Sequence, residues 1–247
     1  MSLGGAHSNH LHALAAAGRR FGFETVGLLR GEPQRTPTVD DLQAFGMQLH
    51  WLGYAGYRQR HQAGFWAPWQ ARYPHLLAVD EGGGGLPGAQ GCAGLPQALR
   101  AGLPALGWDD YDELWAACGT GTTVAGLVLG EGEAHPVVGA LAVPFGHGVE
   151  TNLAGLLPGS TGYRLIDASR GGFARLDATL ARFILATEAH TGVPLEPLYT
   201  GKLLLALHDE IAAGHVPAGS RIVAVHSGGL QGRRALQERL LSLAASA

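Results

Sequence analysis

The sequence predicts an α/β protein of two domains, each a mostly parallel, three-layer sheet with helices on both faces. Short apolar runs alternate with amphipathic or alanine-rich stretches along almost the whole chain, the pattern of strand–helix units with parallel strands. That alternation is interrupted once, by Glu81 and four consecutive glycines ending at Gly85, a run that cannot hold a regular element. The interruption divides the chain into a smaller domain over residues 1–85 and a larger one over residues 86–247. The 247 residues, 46% apolar and 15% charged, suffice for two proper cores.

The elements follow in order. Ser2 and Leu3 read as the end of a strand, Gly4-Gly5 as a tight turn, and Ser8 as the N-cap of a helix over His10–Gly18. A domain that opens on the last residues of a strand is expected to have more chain upstream. Thr25–Leu29 is an apolar strand. Thr38-x-x-Asp41 is a capping-box variant for a helix that carries Leu42 and Phe45 and stops at Gly46. Met47–Leu52 is the next strand, Tyr57–Tyr73 a helix that Pro68 must bend or interrupt, and His75–Val79 another strand. Beyond the glycines come helix Ala89–Ala101, strand Leu114–Ala117, a helix opening near Thr123, strand Val137–Val143 and a short helix over Glu150–Leu156. Strand Tyr163–Asp167, helix Leu176–His190, helix Leu203–Ala213, strand Arg221–His226 and a final helix from Gly232 complete the chain.

Bulk properties narrow the function. A net charge of −3 without any Lys/Arg run argues against nucleic acid. Cys92 and Cys118 have no metal or redox spacing. No apolar run reaches membrane-spanning length, and the N-terminus has no basic segment followed by an apolar one, so a cytoplasmic protein is expected. The 17 basic residues include a single lysine, Lys202.

In open parallel sheets, ligands gather beyond the carboxyl ends of the strands. The richest such end is Cys118-Gly-Thr-Gly-Thr-Thr123. Gly119 and Gly121 let the backbone approach a ligand, and Thr120, Thr122 and Thr123 offer hydroxyls. The N–H groups and positive dipole end of the following helix favour an anion, most often phosphate. The spacing matches neither a P-loop nor a three-glycine dinucleotide fingerprint, and a plain strand-to-helix turn would use the same residues. Ser8, Asn9, the Ser169–Phe173 loop, Tyr199, Thr200 and Ser227 occupy the other ends. This hydroxyl-rich, charge-poor set suits hard cations badly. His7, His10 and His12 form no metal site, because on a helix His12 points away from the others and no carboxylate lies nearby. The G-x-S-x-G elbow of serine hydrolases is absent.

Gly-Gly-x-x-Ser-Asn-His, CGTGTTxAGL, Ser169-Arg-Gly-Gly-Phe173, Leu198-Tyr-Thr-Gly-Lys202 and His226-Ser-Gly-Gly229 occur here in one order. Together they resemble the pyridoxal-phosphate enzymes of the aminocyclopropane-carboxylate deaminase and D-cysteine desulfhydrase family, of the tryptophan-synthase β fold type (fold type II), over essentially the whole chain. The resemblance implies pyridoxal 5'-phosphate as cofactor and a small amino acid as substrate, converted to a 2-oxo acid and ammonia, in a homodimer. Ser8 would match the active-site serine and Asn9 the asparagine on the cofactor's phenolic oxygen. Gly119, Thr120, Gly121, Thr122 and Thr123 would match the phosphate loop, Tyr199 the tyrosine facing the substrate, and Ser227 a threonine bonded to the pyridine nitrogen. A neutral hydroxyl at that last position makes the ring a weaker electron sink than a carboxylate partner would.

Three departures from the family pattern stand out. The deaminases have a glutamate after the tyrosine, where this chain has Thr200, and a second tyrosine in the glycine loop, where it has Phe173. Both favour desulfhydrase-like elimination over cyclopropane ring opening. The family's cofactor-binding lysine lies in a Gly-Asn-Lys segment upstream of Ser-Asn, and residues 1–247 contain no counterpart. The sequence therefore leaves open an active lyase whose start is misassigned or trimmed, an inactive cofactor binder, another enzyme of the same fold such as a dehydratase, or an unrelated binder of nucleotide phosphates.

Overall fold

The computed structural model describes residues 1–246, which form two compact units, one of Met1–Gly84 and one from Gly85 onward. In the first unit β1 (Ser2–Gly4), β2 (Val26–Leu29) and β3 (Gln48–Trp51) make a parallel sheet in the order β1-β2-β3. Strand β2 is central and buried along its whole length, as expected of a continuous apolar run covered on both faces. Leu29 packs with Leu11 and Ala15 of α1 (Asn9–Phe21) and Val39 and Leu42 of α2 (Pro37–Ala44). Val26 and Leu28 face the other way, onto Tyr57 and Tyr73.

The local chemistry of this unit departs from expectation in three places. The cap of α2 is Thr36, whose side chain accepts the Val39 N–H; Pro37 opens the helix and Thr38 is buried within it. The helix predicted over Tyr57–Tyr73 is broken into α3 (Gly53–Arg58), a 3₁₀ turn at Gln59–His61 and α4 (Ala67–Arg72). Pro68 lies in the first turn of α4, where a missing N–H breaks no bond. His75–Val79 is not a strand: two bonds tie it to Met1, and the Val79 carbonyl is taken by the Ser2 hydroxyl at 2.7 Å instead of a ladder partner.

The second unit begins with two helices, α5 (Leu86–Cys92) and α6 (Leu95–Gly102), where one was predicted; Gly94 and Pro96 enforce the break. There follow β4 (Glu113–Cys118), α7 (Thr122–Glu131), β5 (Val137–Leu141), α8 (Val149–Leu156), β6 (Tyr163–Asp167), α9 (Ala178–Thr191), α10 (Thr200–Ala212), β7 (Ile222–Val225) and α11 (Leu230–Ala245). The sheet is parallel, in the order β6-β5-β4-β7. Period-two alternation sends Leu114, Ala116 and Cys118 onto α7 and α8, and Trp115 with Val138 and Ala140 onto Leu203 of α10. Burying a large aliphatic side chain such as Leu114, Val138 or Leu203 contributes about 1.5–3 kcal/mol. Helix α7 is buried almost all round, and α5 lies so close to it that a Cβ on Gly126 would come within 2.3 Å of the Ala89 carbonyl oxygen.

This topology positions the site. The chain runs from β4 outward to β5 and β6, then crosses back to place β7 on the other side of β4. The carboxyl ends of β4 and β7 therefore flank the switch point where open α/β sheets bind ligands. No helix among the described residues is long and apolar enough to cross a membrane.

Candidate active site

Strand β4 runs directly through Gly119 and Thr120 into α7. Gly121 is the N-cap, at φ 91°, and no side chain caps the helix. The first N–H groups of α7 thus lack both an intrahelical acceptor and a capping oxygen, and the helix dipole adds positive potential there. Thr120 and Thr122 share a hydroxyl–hydroxyl bond of 3.1 Å, and the Asn152 amide donates to the Thr120 carbonyl at 3.2 Å. A Cβ on Gly121 would meet Leu153 at 3.0 Å. This uncapped, glycine-bounded turn fits a phosphate group. Burial pushes the adjacent Cys118 thiol up to about 12, so it is no nucleophile at neutral pH.

Tyr199 comes to this loop from the far end of the sequence. A Cβ on Gly119 would sit 3.1 Å from Tyr199 Cε1 and 3.4 Å from its phenolic oxygen, so glycine is what admits the ring. The tyrosine stands just before α10 and is held from beneath by the buried carboxylate of Glu196. Glu196 accepts the N–H groups of Leu198, Tyr199 and Thr200 at 2.8, 2.6 and 2.6 Å. The Phe173 ring meets Tyr199 edge-on, with centroids 5.5 Å apart. Helix α10 begins at Thr200, earlier than predicted, which places Lys202 in its first turn. The Lys202 ammonium donates to the carbonyls of Ser169, Gly172 and Phe173 at 2.8, 2.9 and 2.8 Å.

Ser227 is exposed after β7, followed by Gly228 and Gly229 at positive φ, and so lies on the same sheet edge as Gly119. Ser8 and Asn9 belong to the first unit. Ser8 caps α1, its oxygen accepting the Leu11 N–H at 3.1 Å, which leaves its proton to donate; Asn9 is the first helical residue. Contrary to expectation, His12 does have a carboxylate partner, Asp41 at 3.0 Å, while His10 bonds Ser2 at 2.8 Å. No group of three potential metal ligands occurs among the described residues.

Sequence reasoning missed Glu196 and Asn152. An acid four residues before a helix-opening threonine was a readable sign of the first. Nothing in the sequence joins Asn152 to a carbonyl 32 residues away. The loop geometry gives a direct test. Gly121→Val forces a β-branched residue into left-handed backbone and onto Leu153, so pyridoxal phosphate affinity, measured by calorimetric titration, should fall by about tenfold or more. Unchanged affinity in a folded variant would refute the placement.

The family profile described as "Pyridoxal-phosphate dependent enzyme" matches residues 3–228. A Pyrococcus horikoshii protein provisionally named a 1-aminocyclopropane-1-carboxylate deaminase is 24% identical, over 98% of this chain and 77% of its own. An Arabidopsis thaliana mitochondrial protein, named a bifunctional D-cysteine desulfhydrase/1-aminocyclopropane-1-carboxylate deaminase, is 31% identical over 54% of this chain and 36% of its own. The crystal structure of an ACC deaminase homologue superposes with a TM-score of 0.83 at 24% identity, covering 98% of this chain and 77% of that one. The crystal structure of a fungal L-serine ammonia-lyase from Rhizomucor miehei superposes with a TM-score of 0.65 at 14% identity, covering 98% of this chain and 82% of that one. Both solved structures share the fold type II architecture of parallel sheets covered by helices, which this chain also has. A match over residues 3–228 shows that the chain belongs to the pyridoxal-phosphate dependent enzymes.

Proposed function

We propose that this protein has the site of a pyridoxal-phosphate lyase or deaminase that converts a small amino acid to a 2-oxo acid and ammonia, with D-cysteine (which also releases sulfide) or a related amino acid preferred over the cyclopropane substrate. Residues 1–247 by themselves, with their one lysine engaged elsewhere, turn over little. The observation that carries the proposal is the Tyr199 phenol packed on Gly119 beside the uncapped start of α7, an acid–base group next to an anion cradle. When bound, pyridoxal phosphate supplies an electron-withdrawing ring that takes up charge left at the amino acid's α-carbon. The α7 N–H groups and the hydroxyls of Thr120, Thr122 and Thr123 hold the phosphate. Asn9 takes the phenolic oxygen and Ser227 the pyridine nitrogen. Ser8 donates its free proton to the substrate, and Tyr199 moves a proton at its phenolic oxygen. Thr200 and Phe173, in place of the deaminases' glutamate and tyrosine, support elimination rather than ring opening. A cytoplasmic homodimer belongs to the same reading, and sedimentation tests its assembly.

A second reading, a cofactor binder without turnover, is favoured by one observation. The only lysine in residues 1–247 has its three N–H groups on backbone carbonyls.

Cofactor absorbance on titration, followed by 2-oxo acid release from D-cysteine and from aminocyclopropane carboxylate side by side, tests the proposal. D-cysteine should rank first, and the opposite order would end that preference. In any preparation with measurable turnover, Tyr199→Phe should lower it by about 10²–10⁴ with little change in cofactor affinity. Equal loss of both would assign Tyr199 to cofactor packing.

A further inference from the structure

Lys202 is 2% exposed, and an ammonium donates at most three hydrogen bonds. All three end on backbone carbonyls of one loop, Ser169, Gly172 and Phe173. Burying a cation this way is costly, and an apolar side chain of similar length would fill the space without that cost. Burial lowers the Lys202 pKa to about 8; Glu196 resists the shift, Arg170 adds to it, and Asp167 and Asp177 resist it, so the group stays charged at neutral pH. The loop also has local turn bonds, from the Gly171 N–H to Ser169 Oγ at 3.2 Å, from the Gly172 N–H to the Ser169 carbonyl at 3.2 Å and from the Arg175 N–H to the Gly172 carbonyl at 3.1 Å. Ser169 is fixed through its N–H on Asp167 at 2.8 Å, and Arg170 is paired with Asp177. Past Gly171 the chain is largely exposed up to Arg175, and Phe173, the ring that meets Tyr199, lies in that stretch. Those turn bonds end on Ser169 and Gly172, and the Lys202 ammonium is what joins the Phe173 backbone to α10.

We propose that Lys202 is the positioning residue of the Ser169–Phe173 loop: its three bonds fix the loop backbone and thereby hold the Phe173 ring against Tyr199 over Gly119. The role deepens the proposed function and rests on it for the claim that Tyr199 faces the substrate. It also gives the chain's only lysine a task other than holding the cofactor. The relay is short. Lys202 and Tyr199 lie within one turn of the start of α10, so the element that presents the phenol also carries the clamp for the ring that flanks it.

The test reads the loop and the phenol separately, on the full chain without cofactor. Hydrogen exchange followed by mass spectrometry reports the amides of residues 170–173. Fluorine NMR of protein labelled with fluorotyrosine reports the six tyrosines, with Tyr199→Phe assigning the resonance of interest. In Lys202→Met the loop amides should exchange on the order of tenfold faster or more, as expected when at least one net hydrogen bond is lost. The Tyr199 resonance should shift or broaden while residues 119–123 keep their protection. Lys202→Arg, which keeps charge and donors, should restore loop protection at least in part. Unchanged loop exchange in a folded Lys202→Met overturns the clamp. Should Lys202→Met not fold, two arms remain. Loop amides in the wild type that exchange as fast as an unstructured peptide overturn the clamp, and a Phe173→Ala variant with an unmoved Tyr199 resonance overturns the relay. A wild type that shows no cofactor absorbance on titration removes the proposed function instead, an outcome distinct from all of these.

Discussion

Borohydride reduction of this chain after incubation with pyridoxal phosphate should leave no pyridoxyl adduct on Lys202, and turnover with added cofactor should be small or absent. The expectation follows from where the amine is. A Schiff base needs a neutral, mobile amine at the cofactor's aldehyde. Lys202 is buried and its three N–H groups are bonded to three carbonyls, so it is not mobile, and releasing it would strand those carbonyls as well as the loop. With no other lysine in residues 1–247, the cofactor would be held by phosphate and ring contacts, and the substrate's α-proton would lack its usual base. Loss of a general base alone costs about 10²–10⁴ in rate. Peptide mapping of the reduced protein settles the point. An adduct on Lys202, with substantial activity that Lys202→Ala abolishes, would show that the catalytic lysine had been misidentified and would remove the clamp with it.

The parts of this fold that were legible share a physical reason. Strand β4, its small-residue loop and α7 could be read because an apolar run, two glycines, three threonines and a second apolar run each have a narrow set of backbone uses. The glycine run after Glu81 could be read because no regular element tolerates it. Misreadings came where two local solutions were close in energy and a distant contact chose between them. Thr36 and Thr38 both flank Pro37 and could both cap α2. The Thr36 hydroxyl also donates to the Ala6 carbonyl at 2.7 Å, a bond 30 residues away that fixes the choice. Pro37 at the first helical position was the available signal. The short apolar run His75–Val79 has strand composition, but its backbone groups were claimed by Met1 and Ser2.

The candidate site divides in the same way. The side chains that line the candidate site were suggested by type and position, Tyr199 and Ser227 among them. Those that hold such residues in place were not, because their partners are backbone groups that carry no sequence identity. Lys202 reaches carbonyls 29 to 33 residues away, and Asn152 one that is 32 residues away. The close packing of Tyr199 on Gly119 could not be inferred from either residue alone. It requires β4 and the start of α10 to converge, which is a consequence of the sheet order.

Replacing Glu196 with alanine should be among the most destabilising single changes in the second unit. The carboxylate is 1% exposed and satisfies three consecutive N–H groups at the turn that starts α10. Burial pushes its carboxyl above the ordinary range, while the bonds from Thr200, Leu198 and Tyr199 hold it down. Alanine removes every one of these acceptors and leaves a cavity, and water has little access to replace them. Each buried donor left unpaired costs about 1–3 kcal/mol, and since the losses share one turn we expect a total of about 3–5 kcal/mol, short of their sum. Glu196→Gln, which keeps one acceptor oxygen in nearly the same shape, should recover roughly half. In a unit of this size that loss corresponds to a fall in melting temperature of roughly 6–20 °C for the alanine variant, followed by calorimetry. The Tyr199 fluorine resonance should move in both variants, because the bond at its own N–H is altered, whereas a stability role alone would leave it in place wherever the variant is folded. An alanine variant that melts with the wild type would mean that other groups satisfy this turn, and the account of how the chain presents Tyr199 would have to be abandoned.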